Sequence, residues 1–400
     1  MMPTVLVGFA EAMSAPEVVW SLVNRGYKVS AFARKGRRSP LRFSRSVTCH
    51  EVTPPDVDAN AALRELDALC EQRLREAPLV LFPLDDSAVW LSCRIRARPG
   101  LVLAGPSLKQ AGIALDKNAQ IAAARIAGFN VPKTKLCTSV AELREKDGSF
   151  PFILKPANAV RESGGRLYKG RFWICGNSEE MEAAVSEWAG KNPLLVQPLI
   201  RGTGEGLFGL ATNEGVRAWS AHRRLRMMNP HGSGSSACVS QPVSDDLTST
   251  AERFIRDTGW RGLFMIEFLR DRGGKVWFVE FNGRAWGSMA LSRRQELEYP
   301  VWNVELALAP RSQVDVKRRT GNNVVCKHLG REFMHLLFVL RGPKSVALPD
   351  WPSFWKTLYD VIRIRRSDGI YNWWKNDPKV LIADFYYTVH DNVFKPKRKN

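Results

Sequence analysis

The sequence predicts a mixed α/β and α+β protein built from three regions. Residues 3 to about 110 alternate between apolar strand-like runs and helical segments, the pattern of a small, doubly wound parallel sheet. Two β-rich runs flank Gly273 and Gly274 and predict an antiparallel hairpin in a larger second region. Beyond about residue 310, tryptophans and arginines are mixed in helical stretches, so we expect a mostly helical, basic C-terminal region. The expected boundaries are 1–110, 111–310 and 311–400.

The N-terminal elements begin with a buried-strand pattern at residues 4–8 and a helix at residues 16–24. Further strands are expected at 27–32 and 79–83. The turn after the first strand lacks the GxGxxG pattern, so dinucleotide binding is not supported. Asp85 and Asp86 directly follow a strand, at the edge where open α/β sheets place ligands. We therefore expect this pair to be either a substrate contact or a helix cap.

The middle region places two lysines at element boundaries. Lys117 starts a helix expected at 117–127, and Lys155 ends a strand expected at 152–156. A lysine at the end of a buried strand, beside Pro156, is unusual, whereas a lysine at a helix start is often only a solvated side chain. The other expected elements are a glycine-rich loop at 158–170, a helix at 178–189, a strand at 194–197 and a helix at 245–258.

The hairpin brings two glutamates together. With the turn centred on Gly273 and Gly274, Leu269 faces Phe278 and Glu267 lies opposite Glu280. Asn282 is two residues farther on and shares their face. Opposed carboxylates between apolar strand positions repel each other and lose hydration. A divalent cation bound by the oxygens of these side chains would neutralise the repulsion. The alternative is a hairpin whose glutamates are simply solvated.

The charge balance limits the classes of partner. The chain has 59 basic and 40 acidic residues, a net charge of +19, which favours acidic ligands, nucleic acid or an anionic membrane surface. The seven cysteines include no CxxC pair, so neither a disulfide framework nor a zinc site is indicated. The N-terminus shows no signal-peptide pattern, and no apolar run reaches the roughly 18 residues that span a bilayer. We expect a cytoplasmic protein, with the inner membrane surface as an alternative location.

These motifs, in this order, resemble the ATP-grasp superfamily over residues 110 to 310. The likeness is to carboxylate–amine ligases with a carbamoyl-phosphate-synthetase-like ATP-binding domain. It rests on the hairpin with its thirteen-residue glutamate spacing, on Ile153-Leu154-Lys155-Pro156 and on Leu115-Asp116-Lys117-Asn118. The resemblance implies a two-lobed ATP-grasp domain with a hinge near 196–199, preceded by a small α/β domain.

The resemblance also implies where the nucleoside binds. Gln197, Pro198 and Leu199 match the hinge that holds adenine. Pro198 has no N–H, so the donor is expected to be the amide of Leu199. Gln197 stands where an acidic residue is usual, which leaves its backbone carbonyl to accept from the amino group. Glu205 matches the acid that accepts from the ribose hydroxyls.

At the phosphate end, the resemblance assigns Lys117 and Lys155 to charge neutralisation. Glu267, Glu280 and Asn282 become ligands of Mg²⁺, with two ions sharing Glu280 and Mn²⁺ as an alternative metal. The expected catalytic residues are Lys155, Arg284 and Arg224. Arg284 is expected to steady the transferring phosphoryl group.

Arg224 is expected to contact phosphate or a substrate carboxylate, although strand alternation alone does not separate it from Arg223 or Arg226. A glycine- and serine-rich loop at 229–237 resembles the mobile loop that closes over the acyl phosphate. His222 and His231 are candidate proton acceptors. The flap after Lys155 is expected to be longer than is usual in the family.

The function implied by this resemblance is an ATP-dependent ligase that joins a small-molecule carboxylate to an amine through an acyl phosphate, releasing ADP. One alternative is a bicarbonate-activating enzyme of the carbamoyl-phosphate type. A second is a nucleic-acid-binding protein, although no RNA- or DNA-binding module is recognisable. The basic C-terminal region is expected to meet anionic lipid rather than nucleic acid. A homodimer is also expected from related folds.

Overall fold

The computed structural model describes residues 2–145, 149–232, 234–309, 323–365 and 367–394. The N-terminal region forms a five-stranded parallel sheet in the order β3-β2-β1-β4-β5. Its strands are β1 (Thr4–Gly8), β2 (Lys28–Arg34), β3 (Thr48–Val52), β4 (Leu79–Pro83) and β5 (Leu101–Leu103). The helices of this part are α1 (Ala15–Asn24), α2 (Ala59–Leu74), α3 (Asp86–Ser92), α4 (Leu108–Leu115) and α5 (Lys117–Ala127), with a 3₁₀ turn at Pro40–Phe43.

A smaller antiparallel sheet follows in the order β10-β7-β11-β6. Its strands are β6 (Lys135–Cys137), β7 (Phe152–Pro156), β10 (Trp173–Cys175) and β11 (Leu194–Pro198), and its helices are α6 (Val140–Arg144) and α7 (Ser178–Trp188). The segment expected to be a loop at 158–170 instead contains a short hairpin of β8 (Arg161–Ser163) and β9 (Arg166–Tyr168). Gly164 and Gly165 form its turn with positive φ, which glycine adopts without strain.

The largest sheet has the order β16-β15-β12-β13-β14-β17-β18 in the described residues. Its strands are β12 (Thr203–Thr212), β13 (Gly215–Met227), β14 (Ser235–Gln241), β15 (Gly262–Arg270), β16 (Val276–Asn282), β17 (Val325–Lys327) and β18 (Gly369–Ile370). The accompanying helices are α8 (Asp245–Thr258), α9 (Met289–Arg294), α10 (Tyr299–Leu308), α11 (Leu329–Arg341), α12 (Phe354–Ile362) and α13 (Pro378–Val393). The expected fold class, with a small parallel sheet first and a helical C-terminal part last, is confirmed.

Local sequence signals set the ends of α5. Its N-cap, Asp116, accepts hydrogen bonds from the amides of Asn118 and Ala119, and Gly128 ends the helix with a φ of 98°. Lys117 is therefore held in the first helical turn. The helix predicted at 117–127 has these bounds in the structure.

The large sheet is covered on both faces, and this decides which side chains reach the site. One face, with Phe208 and Met265, packs against β1, α1 and α10 of the chain. The opposite face, with Ile266 and Phe268, packs against α5 and α8 around Phe254. Because strand residues alternate between faces, a shift of one residue moves a side chain from one environment to the other.

The C-terminal segment is attached to the large sheet, because β17 pairs with β14. The boundary expected at residue 310 remains a prediction, and part of it falls outside the described residues, as do residues 395–400 of the basic terminus. On α12, Trp355, Tyr359 and Ile362 are 76%, 56% and 65% exposed, so this helix presents an apolar face to solvent. Among the described helices, none combines the length and apolar character that crossing a membrane would require.

Candidate active site

A cavity of about 830 Å³ lies between the small antiparallel sheet and the large sheet. Ten of the eleven predicted site residues line it, although they come from segments far apart in the chain. They are Lys117, Lys155, Gln197, Pro198, Leu199, Arg224, Glu267, Glu280, Asn282 and Arg284.

Glu267 and Glu280 are directly paired across β15 and β16, as the hairpin pattern predicted. The predicted pairing of Leu269 with Phe278 is wrong, because Leu269 pairs with Trp277. The turn occupies residues 271–275, closed by hydrogen bonds between Asp271 and Lys275, so it is not centred on the two glycines. A bulge in the ladder then inserts one extra residue and restores the glutamate pairing.

Two cations neutralise the glutamates. Lys117 Nζ lies 2.5 Å from Glu280 Oε2, and Arg224 Nη2 lies 2.5 Å from Glu267 Oε2. Asn282 Nδ2 donates to Glu280 Oε1 at 3.2 Å and reaches Glu267 Oε1 at 3.5 Å. Burial raises the pKa of Glu280, but Lys117 and Asn282 outweigh it and hold that pKa well below its usual range. Each of the two carboxylates therefore has one cation of the cavity as its partner.

Lys155 differs from Lys117 because no carboxylate of the described chain lies within ion-pair distance of it. Its side chain is partly buried at the end of β7. Burial and the neighbouring charge of Lys117 lower the pKa of Lys155 from 10.5 to about 8. A desolvated cation without a counter-ion favours an anion in the cavity.

Asp85 and Asp86 take different roles. Asp85 caps α3 by accepting from the amide of Ala88 at 2.8 Å, whereas Asp86 Oδ1 accepts from Arg284 Nε at 2.6 Å. Arg284 also donates to Asn282 Oδ1 at 3.0 Å. Burial lowers the pKa of Arg284, but Asp86 outweighs this and raises it. The parallel sheet therefore positions the arginine expected to meet the phosphoryl group.

The structure distinguishes Arg224 from the other two candidate arginines. Arg224 lies in the cavity, Arg223 is exposed, and Arg226 pairs with the buried Glu332 at 2.5 Å. His222 does not belong to the cavity lining as far as the described residues show. Its ring is packed edge-on against Phe208, and burial together with Arg224 lowers its pKa to about 3.

The expected hinge contact through Leu199 is wrong, because the Leu199 amide already donates to the carbonyl of Pro151 at 3.2 Å. Gln197 pairs with Ile153 on the same ladder, and hydrogen-bonding groups alternate along a strand. The backbone of Gln197 therefore also faces β7. Its side chain donates to Thr134 Oγ1 at 2.8 Å and is buried.

Glu205 does not reach the cavity. It alternates with Gly204 and Gly206 on β12, and its carboxylate accepts from Arg270 Nε and Nη2 at 2.8 and 2.9 Å. Side-chain alternation places it on the sheet face that carries Leu207 and Phe268, away from the other predicted residues. Its predicted contact with ribose is therefore not supported by this arrangement.

Sequence reasoning missed several lining residues. Lys169 Nζ lies 3.9 Å from Asp86 Oδ2, and Phe172 and Trp277 also line the cavity. His231, which the sequence named as a candidate proton acceptor, lines it as well. Lys169 follows the β8–β9 hairpin, so the charge-rich loop pattern was the available signal. The others have no distinctive pattern in the sequence, because their position depends on distant strands.

The cluster suits a hard divalent cation. It offers two carboxylates and one amide oxygen, and Mg²⁺ takes few protein oxygens when phosphates and water complete its coordination. The described residues contain no group of three or more His, Cys, Asp or Glu side chains placed to hold a metal, so a metal bound here would need the Asn282 amide as its third protein ligand. Asn282 Oδ1 now faces Arg284, and a half-turn of the amide presents it to the glutamates.

No protein-family model matches the sequence, and neither does any curated protein. Solved structures do match. An L-amino acid ligase from Bacillus licheniformis has 14% identity and a TM-score of 0.59 over 78% of this chain and 75% of its own. An ADP complex of N5-carboxyaminoimidazole ribonucleotide synthetase has 13% identity and a TM-score of 0.59 over 85% and 86%.

A third similar structure is the biotin carboxylase domain dimer of Hydrogenobacter thermophilus 2-oxoglutarate carboxylase, described with MgADP, ADP and bicarbonate. It has 17% identity and a TM-score of 0.59 over 81% of this chain and 73% of its own. Identities this low establish the fold and leave the substrate open. The chain shares its fold with this ligase, this synthetase and this carboxylase domain.

Proposed function

We propose that this protein is an ATP-dependent ligase that activates a carboxylate as an acyl phosphate, releases ADP and joins the acyl group to an amine. The observation that carries the proposal is the cavity itself. It gathers two lysines, two arginines and a Glu–Glu–Asn cluster, with Lys117 and Glu280 in contact across 163 residues of sequence. Such a mixture of cations and hard oxygen ligands fits a nucleoside triphosphate with its metal.

The phosphates belong at the end that holds Lys117 and Lys155. Glu267, Glu280 and Asn282 would hold Mg²⁺, with two ions sharing Glu280 and Mn²⁺ as an alternative. Bound there, the metal supplies charge neutralisation at the β- and γ-phosphates. With Glu280 engaged as a metal ligand, Lys117 would lose its present ion pair and would be free to donate to a phosphate oxygen.

The arginines are proposed to act on the reacting groups. Arg284, held by Asp86, donates to the oxygens of the transferring phosphoryl group. Arg224 lies beside Glu267 and is proposed to bind the phosphate or the substrate carboxylate. Catalysis then consists of positioning and charge stabilisation, and needs no covalent nucleophile from the protein. His231 lines the cavity wall, but its Nε2 already accepts from the amide of Lys344, so the proposal assigns it no proton transfer.

The base contact is proposed to be shifted by one residue from the expected hinge. Since Gln197 and Leu199 direct their backbone groups to β7, the carbonyl of Pro198 and the amide of Ile200 are directed to the other side. This pair supplies one acceptor and one donor, as an adenine edge requires.

Hydroxylamine trapping tests the proposal. Purified protein, Mg·ATP and a fractionated small-molecule extract are assayed for ADP, and any hydroxamate is identified by mass spectrometry. Glu280→Ala should abolish hydroxamate formation, while Glu252→Ala, which removes an exposed glutamate on α8, should retain it. A hydroxamate that forms equally in both variants would contradict the assigned site.

Bicarbonate activation is the second candidate function. The observation in its favour is the likeness to a carboxylase domain whose structure is described with bicarbonate and MgADP. In the same assay, bicarbonate-dependent ADP release without any hydroxamate would favour this candidate. A hydroxamate from an organic acid would favour the ligase.

The proposal retains the division of the chain into residues 1–110, 111–310 and 311–400. A homodimer is proposed as well, because the similar carboxylase domain is described as a dimer. Light scattering after size-exclusion chromatography measures the mass directly, and a mass of 45.0 kDa would show a monomer.

A further inference from the structure

The C-terminal segment contributes part of the cavity wall. We call residues 344–351, between α11 and α12, the strap. Leu348, Pro349 and Asp350 of the strap line the same cavity as the predicted site residues. The strap lies outside the part of the sequence that resembles ATP-grasp domains, so its position could not be foreseen from that resemblance.

The strap is attached to the small antiparallel sheet through α7. Glu180 accepts from Ser345 Oγ at 2.7 Å and from the amide of Val346 at 3.0 Å. The same carboxylate accepts from the amide of Gly176 at 2.7 Å. Burial raises the pKa of Glu180, but these hydrogen bonds outweigh it and lower that pKa, so the carboxylate stays ionised in its role as acceptor.

The strap is also attached to the rest of the cavity wall. Just after the hinge, Arg201 Nη2 donates to the carbonyl of Ala347 at 2.6 Å. At the loop beyond β13, His231 Nε2 accepts from the amide of Lys344 at 2.7 Å. The ring of His231 also packs against Trp351, with centroids 5.0 Å apart. The strap therefore connects the small sheet, the hinge and the large sheet.

These attachments locate the strap at one end of the cavity. Arg201 follows the hinge strand β11, and Arg272, in the turn of the β15–β16 hairpin, pairs with Asp350 at 2.6 Å. Since Arg201 comes directly after the residues expected to hold the base, its contact places the strap beside that end of the cavity.

We infer that the strap forms the outer wall of the base-binding end of the nucleotide site and that nucleotide enters and leaves only when the strap lifts. This inference rests on the proposed nucleotide binding. Its physical basis is that the strap is bound to both sides of the cleft by backbone and side-chain hydrogen bonds, all of which must break together for the cleft to open.

Stopped-flow kinetics with a fluorescent N-methylanthraniloyl ATP analogue and Mg²⁺ tests the inference on the full chain. Glu180→Ala removes the acceptor of Ser345 and Val346 at once. We expect its association and dissociation rates both to rise roughly tenfold, because two hydrogen bonds no longer oppose opening, while Kd changes less than threefold. The matched control is Glu179→Ala, which removes the exposed neighbouring glutamate and should leave both rates unchanged.

Since Glu180 also supports Gly176, Arg201→Ala provides a second, independent release of the strap from the hinge side. Unchanged rates in both variants would overturn the inference. A rise in the dissociation rate alone would overturn it too, because that result indicates a lost ligand contact rather than a faster opening. If the unmodified protein does not bind the analogue at all, the proposed nucleotide binding fails first, and the inference fails with it.

Discussion

Replacing Lys155 by methionine should make the protein more stable and worse at binding ATP. Lys155 is partly buried, has a pKa lowered from 10.5 to about 8, and has no carboxylate partner in the described structure. Folding therefore reduces the hydration of a charge that no ion pair balances, and the more distant Glu280 and Glu267 offset only part of the cost. The methionine side chain keeps a similar length without the charge.

The magnitude follows from the pKa difference between the unfolded and folded states. A fall from 10.5 to about 8 corresponds to about 3 kcal/mol at roughly 1.4 kcal/mol per pKa unit. Since part of the side chain remains in contact with solvent, we expect about 2 kcal/mol of this as a gain in the free energy of unfolding for Lys155→Met.

The two pKa values also fix how the stability gain of Lys155→Met changes with pH. The folded-state pKa lies below the unfolded value, so the unfolded chain binds the proton more tightly between pH 8 and 10.5. The penalty for the charged lysine is fully present below pH 8 and disappears as the pH rises towards 10.5. The stability gain of Lys155→Met should therefore be largest at neutral pH and fade in alkaline solution.

Nucleotide affinity should change in the opposite direction. Loss of a charge-assisted contact with phosphate should weaken binding roughly 10- to 100-fold. In the unmodified protein, affinity should fall up to about tenfold per pH unit above pH 8, because binding then requires uptake of a proton. The affinity of Lys155→Met should be nearly independent of pH in this range.

Thermal unfolding without nucleotide and calorimetric titration with a non-hydrolysable ATP analogue, each at pH 7 and 9, provide the measurements. Lys133→Met is the matched control, since Lys133 is exposed in the same part of the chain. A variant at Lys155 that melts at or below the temperature of the unmodified protein would refute the burial argument. Equal pH dependence of affinity in both proteins would refute the phosphate contact.

The remaining predictions concern three other parts of the chain. Glu205→Gln should lower the free energy of unfolding by about 1–2 kcal/mol, because it weakens the ion pair of a buried glutamate with the partly exposed Arg270, and nucleotide affinity should stay unchanged; a large loss of affinity in titration would instead support the ribose contact. Asp86→Asn should lower kcat roughly 10- to 100-fold with a smaller effect on KM for ATP, since Arg284 loses its orienting partner; steady-state kinetics showing only a KM change would contradict this. Joint replacement of Trp355 and Tyr359 by alanine should reduce flotation with phosphatidylserine-rich vesicles, and undiminished flotation would exclude α12 as the contact.

Features that depend on neighbouring residues could be predicted from the sequence. The bounds of α5 follow from its Asp116 and Gly128 caps, and the hairpin follows from its two glycines and apolar flanks. The pairing of Glu267 with Glu280 was predicted as well, although through a turn geometry that the structure corrects. Capping, turn chemistry and strand alternation act over a few residues, so the residue order specifies them.

Features that depend on which distant strands meet were decided only by the tertiary structure. The sequence could not choose among Arg223, Arg224 and Arg226, because β-bulges in β13 and the position of Glu267 determine which arginine enters the cavity. The resemblance assigned Glu205 to the ribose contact, but the side of the sheet on which Glu205 lies is set only when the sheet packs between the N-terminal region and α8.

The same limit explains why Asp86 and the strap were not recognised as parts of one site. Asp86 contacts Arg284 across 198 residues, and Ser345 contacts Glu180 across 165. Such contacts leave no periodic or local pattern, because they exist only after the sheets have packed against each other. The sequence by itself determined the individual elements and most of the charged groups of the cavity. The tertiary structure determined which of those groups face one another and which segment covers them.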